Sequence, residues 1–241
     1  MKNSIVWCLV FGVTMFTVKA VAQQDSFAIE FKHTVGEKKL VLFTETYHNN
    51  FNEPFVVNKF RYYISNVLMV DEKGKQKRLN GFHHLVDEAD TVSKKVYFNS
   101  VNLGKIVFIE FTIGVDSIKN FSGVQTDDLD PMKGMFWTWN NGYIFAKLEG
   151  QSDSSTASSN YFTYHIGGYK NEFNAVRKIV LPIKKFSKEI IIKVDVLKWF
   201  NAVHPISIKQ IPICHQPGKL AMQIADNYAT MFTVMENKII R

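Results

Sequence analysis

Alternation of apolar and polar residues with a period of two recurs along this 241-residue chain and limits the folds open to it. In residues 26–33, Phe27, Ile29 and Phe31 alternate with smaller or charged side chains. Because successive side chains of a strand point to opposite faces of a sheet, this pattern predicts strands with one buried face. Comparable segments, rich in β-branched and aromatic residues and separated by turn residues, are 39–47, 55–71, 105–116, 142–150, 160–168, 176–183 and 189–196.

Helical spacing is confined to the C-terminal part of the chain. Residues 196–202 form a short candidate, and residues 218–232 a better one with apolar residues three or four positions apart. Many strands without alternating helices are typical of an antiparallel sandwich or barrel. We therefore predict an all-β fold: a single antiparallel β-sandwich-like domain with a short C-terminal helix. The polar residues 151–160 are interpreted as a long hairpin loop within that domain.

The N-terminus is typical of a signal peptide. Lys2 provides a positive charge, residues 5–18 are almost uninterruptedly apolar, and Ala20 and Ala22 fit the small-residue pattern of a cleavage site before Gln23. The apolar run is shorter than the roughly 18–20 residues that a membrane-spanning helix needs. We therefore predict a cleaved signal peptide over residues 1–22 and a single domain over residues 23–241. The expected location is periplasmic or secreted, without stable membrane insertion after cleavage.

Charge and cysteine content limit the classes of function. Cleavage would leave 27 basic and 22 acidic residues and one cysteine, Cys214. No intramolecular disulfide is then possible, so the hydrophobic core alone must stabilise the fold. The basic residues are scattered along the chain, which argues against a nucleic-acid partner.

Motifs of the common enzyme classes are absent from the sequence. It contains no phosphate-binding loop, dinucleotide fingerprint, HExxH or GxSxG. We therefore predict a binding protein that is not an enzyme and has no catalytic residues. Asp127, Asp128 and Asp130 could seat calcium, because clustered carboxylates suit a hard cation. The alternative is an acidic turn before Pro131.

The segment 132–150 concentrates aromatic side chains. Trp137 and Trp139 are two of the four tryptophans in the chain, and in an extended strand they would share one face. The pair could fill a core or line a functional site. His165 occurs in another aromatic segment, where it would share a strand face with Thr163. Residue type alone leaves His165 as either a hydrogen-bonded structural residue or a metal ligand.

A longer pattern links these segments. The stretches GVDSIKNF (114–121), LDPMKGMFWTWNNGYIFAKLEG (129–150) and YHIGG (164–168) resemble the MbnP-like family of periplasmic copper-binding proteins. The resemblance covers most of the chain, from about Phe27 to Phe232. Membership implies a single β-rich domain, export and association with copper. In some members, a di-haem, peroxidase-like partner enzyme oxidises one tryptophan to kynurenine, and the product ring helps to bind copper beside histidines.

The resemblance implies which residues form the site. Trp137 or Trp139 is the oxidisable residue, and His165 is the first metal ligand, since imidazole nitrogen suits copper. Relatives commonly carry a histidine where this chain has Phe121.

Other side chains must then complete the ligand set. His215, His48 or His204 could do so if the fold brings one of them near, and the first two are the predicted ligands. Cys214, next to His215, is also a soft donor for Cu(I), although an unpaired cysteine is more often a small buried hydrophobe.

The sequence therefore predicts an exported protein that binds and handles copper through histidine and an oxidisable tryptophan. The alternative is a metal-free exported binding or interaction module. In that case, the tryptophan cluster would be part of the core and His165 would hydrogen-bond within the fold.

Overall fold

Strands dominate the structure, a computed structural model that describes residues 27–99, 103–140, 142–185 and 187–235. The predicted signal peptide lies outside these residues. The strands are β1 (Phe27–Val35), β2 (Lys38–Lys39), β3 (Tyr47–His48), β4 (Pro54–Asp71), β5 (Gln76–Asp87), β6 (Lys95–Phe98), β7 (Ile106–Ile113), β8 (Phe136–Trp137), β9 (Gly142–Gln151), β10 (Tyr161–Gly167), β11 (Arg177–Pro182), β12 (Glu189–Asp195), β13 (Ile213–Cys214) and β14 (Phe232–Val234). The α-helices are α1 (Ser117–Phe121) and α2 (Lys219–Tyr228).

Two sheets contain these strands. The first has the order β14-β12-β1-β2, with β6 also paired to β1. The second has the order β11-β7-β4-β9-β10-β13, and β3, β5 and β8 are attached to its strands. Most neighbours are antiparallel, as predicted, but β1 pairs with β12 and β10 pairs with β13 in parallel.

The core lies between the two sheets. The ring of Phe31 in the first sheet makes edge-to-face contacts with Tyr62 and Phe111 in the second, at centroid distances of 6.0 and 6.1 Å. Trp199, fully buried after β12, packs against Tyr228 of α2 at 5.2 Å. Such aromatic pairs add to the stabilisation that comes from apolar burial. The prediction of an all-β, sandwich-like domain with a short C-terminal helix is confirmed.

The predicted strand over residues 39–47 is wrong. Only Lys38–Lys39 and Tyr47–His48 are in strands, and Phe43 between them has a left-handed backbone with φ 70°. The Tyr47 hydroxyl accepts a hydrogen bond from the Val41 amide and donates one to the Lys39 carbonyl. This side chain thus satisfies backbone groups that a neighbouring strand would otherwise have to pair.

The helical predictions are partly confirmed. Residues 219–228 form α2, whose Ile224 and Tyr228 are fully buried. Residues 196–199 form one turn of 3₁₀-helix, begun by the Asp195 carboxylate, which accepts a hydrogen bond from the Leu197 amide. The polar residues 151–160 connect the antiparallel strands β9 and β10, as expected for a hairpin loop. Among the described residues, no helix combines the length and apolar character needed to cross a membrane.

Candidate metal centre

The two tryptophans of the segment 132–150 differ in environment. β8 ends at Trp137, so Trp139 lies in the following turn, and the prediction that one strand presents both is wrong. The rings nevertheless touch, with centroids 5.6 Å apart. Trp137 is 5% exposed, whereas Trp139 is 63% exposed. Trp137 is therefore a core residue, and Trp139 is the indole that a reagent or partner in solution can reach.

His165 lies near the end of β10, beside Lys147 of β9. Its Nε2 atom is 2.7 Å from Oε1 of Glu149, on the same neighbouring strand. Glu149 also contacts Nζ of Lys59 at 3.0 Å. Burial raises the pKa of the Glu149 carboxyl, but the hydrogen bonds from His165 and Lys59 outweigh it and lower the pKa to about 2. Glu149 is therefore an ionised acceptor that orients the His165 ring.

His215 follows β13, whose parallel pairing aligns Cys214 with Tyr164. This register places His215 next to His165, and the two imidazoles stack with centroids 4.4 Å apart and planes 22° apart. Nε2 of His215 is hydrogen-bonded to the Thr163 hydroxyl. Burial, followed by the nearby His165, lowers the pKa of His215. The surroundings of His215 thus favour its neutral imidazole, the form that binds metals.

The hydrogen bonds of His165 and His215 leave the Nδ1 atom of each ring without a partner among the described residues. Both Nε2 atoms are engaged, with Glu149 and Thr163. The Glu149 carboxylate can only accept, so it holds the His165 proton on Nε2 and leaves the Nδ1 lone pair free, whereas the Thr163 hydroxyl can donate to or accept from Nε2 of His215. The donor set of two imidazoles suits copper. Because the rings are nearly parallel, their side chains must rotate before both nitrogens can face one ion.

His48, predicted as a further ligand, is not part of this arrangement. In β3 it pairs with Pro54, whereas His165 aligns through Lys147 with Arg61, seven residues further along β4. At about 3.3 Å per residue, these rows are roughly 20 Å apart. The alternative His204 contacts Asp226, with Nε2 and Oδ2 3.1 Å apart.

Cys214 is adjacent to His215 in sequence but differs in environment. Its side chain is buried, and burial raises the pKa of the thiol to about 11. A protonated thiol is a poor copper ligand. The interpretation of Cys214 as a small buried hydrophobe is therefore favoured over a role as a soft donor.

The three aspartates considered for calcium make separate contacts. The Asp128 carboxylate contacts His84 and Lys133, the Asp130 carboxylate accepts a hydrogen bond from the Met132 amide, and Asp127 contacts Thr126. Within the described ranges, no group of three or more His, Cys, Asp or Glu side chains is arranged to hold a metal ion. The calcium prediction thus gains no support from the structure.

The Asp128 contacts predict a pH-dependent contribution to stability. His84 donates from Nδ1 to Asp128 at 2.9 Å and from Nε2 to the Ser93 carbonyl at 2.7 Å. Burial lowers the pKa of His84, but these two acceptors outweigh it and raise the pKa above 6.5. The stabilisation is therefore complete below pH 6.5 and is lost as the pH rises through the raised folded-state pKa.

We expect the wild type to be more stable than His84→Gln by roughly 1 kcal/mol near pH 6, and by less near pH 9. Urea unfolding at both pH values measures this difference. His48→Gln, at an exposed position, is the control and should follow the wild type at both pH values. A constant gap between the wild type and His84→Gln would contradict the assignment.

Glu149 was missing from the sequence-based site. It lies in a different segment from His165, and only the register of β9 and β10 brings the two together. Thr163 was accessible to sequence reasoning, since it shares a strand face with His165. Phe121, at the position where relatives commonly carry histidine, is 72% exposed and packs edge-on against Tyr169 at 4.9 Å.

Fold and site together define a β-sandwich protein with a pair of stacked imidazoles beside an exposed indole. A family model described as MbnP matches residues 24–216, and the chain belongs to the MbnP family. The chain is also similar in structure to MbnP from Methylosinus trichosporium, at 14% identity and a TM-score of 0.53. The match covers 76% of this chain and 80% of that one and shows a common fold. No significant match was found among curated proteins.

Proposed function

We propose that this member of the MbnP family is an exported copper-binding protein, not an enzyme, and that His165 and His215 hold the metal. The observation that carries the proposal is the stacking of the two rings, 4.4 Å apart, with both Nε2 atoms engaged. Copper accepts imidazole nitrogen readily, and two adjacent imidazoles need only side-chain rotation to face one ion. Membership of the family supports copper over other metals.

Trp139 is the better candidate for the oxidisable residue. It is the exposed indole, and together with His215 it lines a cavity of about 530 Å³. A di-haem, peroxidase-like partner enzyme would reach Trp139 from solution, whereas Trp137 is buried. The product, kynurenine, would add an aniline nitrogen on the His215 side of the site.

Copper titration of the metal-free protein against a chromophoric Cu(I) chelator tests the proposal. We expect His165→Ala and His215→Ala each to weaken binding by on the order of 100-fold or more, because each removes one of two imidazoles. Glu149→Gln should weaken binding by about tenfold, because Glu149 positions His165 without touching the metal. Protein from its native source should contain copper, and mass spectrometry of residues 135–147 should place any oxidation on Trp139.

The control for this titration is His48→Ala, which removes a histidine outside the stacked pair. It should bind copper as the wild type does. The proposal is wrong if the two ligand variants retain wild-type affinity, or if His48→Ala loses as much affinity as they do.

A metal-free interaction module is the second candidate. The exposed aromatic residues Phe121 and Trp139 favour it, because large apolar side chains at a surface often mark binding sites. If the titration shows no copper binding to the wild type, this function becomes the better reading of the same surface.

A further inference from the structure

A second cavity adjoins the one lined by His215 and shares Trp139, Gln216 and Pro217 with it. Its volume is about 280 Å³, and neither His165 nor His215 lines it. Five of the lining side chains are aromatic: Trp137, Trp139, Tyr143, Tyr169 and Phe173. The stacked imidazoles are therefore not part of its lining, although Trp139, Gln216 and Pro217 line both cavities.

The walls of this aromatic cavity are held in place from behind. The buried Asn120 side chain accepts a hydrogen bond from the Tyr143 amide at 2.9 Å and donates to the Val115 carbonyl at 2.8 Å. Tyr143 donates its hydroxyl to the Leu129 carbonyl at 2.8 Å. A ligand therefore meets preformed aromatic surfaces, which lowers the ordering cost of binding.

Size and lining restrict the ligand. Sites for drug-sized molecules run from about 300 to 1,000 Å³, so this cavity suits one ring or two fused rings. Indole and phenol faces favour flat, π-rich partners in offset or edge-on contact. Trp139 is 63% exposed and offers its face to an incoming ring.

Charge decides between classes of flat ligand. An aromatic cage by itself attracts cations, as in sites for quaternary ammonium groups. Among the described residues that line the cavity, however, Lys170 is the only charged one, and none is acidic. The positive charge of Lys170, an exposed residue at the wall, disfavours a cation and favours an anion.

Polar groups for an oxyanion are also present. The amide side chains of Asn140 and Gln216 line the cavity beside Lys170. The indole N–H of Trp137, a buried lining residue, has no hydrogen-bond acceptor among the described residues. Because this nitrogen has essentially no exposed surface, the groups available to an oxyanion at the cavity are Lys170, Asn140 and Gln216.

We infer that this cavity binds a small, flat aromatic carboxylate, with the ring between Trp139 and Tyr169 and the carboxylate towards Lys170. The inference does not depend on copper. The inferred ligand is organic, and its site is additional to the metal site proposed at the stacked histidines.

Titration of the full-length, copper-free protein with indole-3-carboxylate, followed by ligand-observed NMR or calorimetry, tests this inference. Indole-3-carboxamide and tryptamine serve as matched neutral and cationic probes. The carboxylate should bind about tenfold more tightly than the carboxamide, and tryptamine should bind most weakly. Lys170→Gln should abolish the preference for the carboxylate over the carboxamide, and Trp139→Ala should weaken both by about tenfold.

Tyr97→Ala is the control variant, since Tyr97 is a similarly exposed aromatic residue on the other sheet. It should bind all three probes as the wild type does. The inference is overturned if the carboxylate does not bind, if the amide or amine binds equally well, or if Lys170→Gln keeps the preference. The inference is also overturned if Trp139→Ala binds the carboxylate with wild-type affinity and still prefers it over the carboxamide.

Discussion

Replacing Glu53 with glutamine is expected to lower the free energy of unfolding by about 3 kcal/mol. The Glu53 side chain is buried and accepts four hydrogen bonds: from Asn49 Nδ2 at 2.6 Å, Ser207 Oγ at 2.6 Å, the Ile208 amide at 2.8 Å and the Lys209 amide at 3.0 Å. Each carboxylate oxygen takes two of them. A glutamine amide must turn its NH₂ group towards one of these pairs of donors, so the Ile208 amide or the Lys209 amide loses its acceptor.

The same contacts predict an acid-dependent contribution to stability. Burial raises the pKa of Glu53, but the hydrogen bonds from Ser207, Asn49 and the two amides outweigh burial and lower it below 4.5. The stabilisation is therefore complete above the unfolded-state pKa and is lost as the pH falls through the lower folded-state pKa. The gap between the wild type and Glu53→Gln should narrow in acid.

Urea unfolding of the wild type and Glu53→Gln at neutral and acidic pH measures both effects. Glu45→Gln is the matched control, because the Glu45 side chain is 44% exposed and forms only a 3.3 Å surface ion pair with Lys38. Surface pairs of this kind contribute little, so Glu45→Gln should stay within about 0.5 kcal/mol of the wild type. If both variants lose the same free energy of unfolding, the buried hydrogen bonds of Glu53 are no more stabilising than the surface ion pair of Glu45.

Gly150→Ala is expected to destabilise the fold by about 3 kcal/mol or more. Gly150 lies in β9 between Val57 of β4 and Phe162 of β10. A Cβ atom at this position would overlap the Val56 carbonyl oxygen and would lie 2.6 Å from the Phe162 ring. Because the oxygen belongs to the backbone of the neighbouring strand, relief requires the strands to move apart.

Thermal and urea unfolding of Gly150→Ala, with Gly218→Ala as control, test this prediction. Gly218 has an extended backbone, and an added Cβ would meet nothing within 4 Å. Its substitution should cost less than about 1 kcal/mol, mainly through poorer capping of α2. If the two variants unfold alike, the close approach of β4 to β9 is not rigid.

Local alternation of apolar and polar residues correctly predicted strands that have one buried face. The alternation of Phe27, Ile29 and Phe31 identifies β1, whose inward side chains form the core. The same reasoning failed for residues 39–47, where the apolar run does not form a strand and Phe43 is largely exposed. Alternation with a period of two indicates which side chains can be buried. It does not indicate that the Tyr47 hydroxyl hydrogen-bonds to backbone groups that a partner strand would otherwise pair.

The candidate site was harder to predict than the fold. The choice of His165 came from the family resemblance, and strand geometry added only that Thr163 shares its face. The proximity of His215 and the separation of His48 depend on strand pairing between distant segments, which no local pattern specifies. The unequal exposure of Trp137 and Trp139 depends on where β8 ends, and strand boundaries are the least certain part of a sequence-based prediction.

The parallel pairing of β10 with β13 has a consequence for assembly. These two short strands are separated by a long stretch of chain that includes β11, β12 and the 207–209 segment fastened by Glu53, so their pairing closes a large loop. Parallel, non-local contacts form late, because ordering the intervening chain is an entropic cost that precedes them. In an unfolded or partly folded chain, the imidazoles of His165 and His215 are therefore not adjacent. An ion that bridges them would bind, and so stabilise, only the folded state.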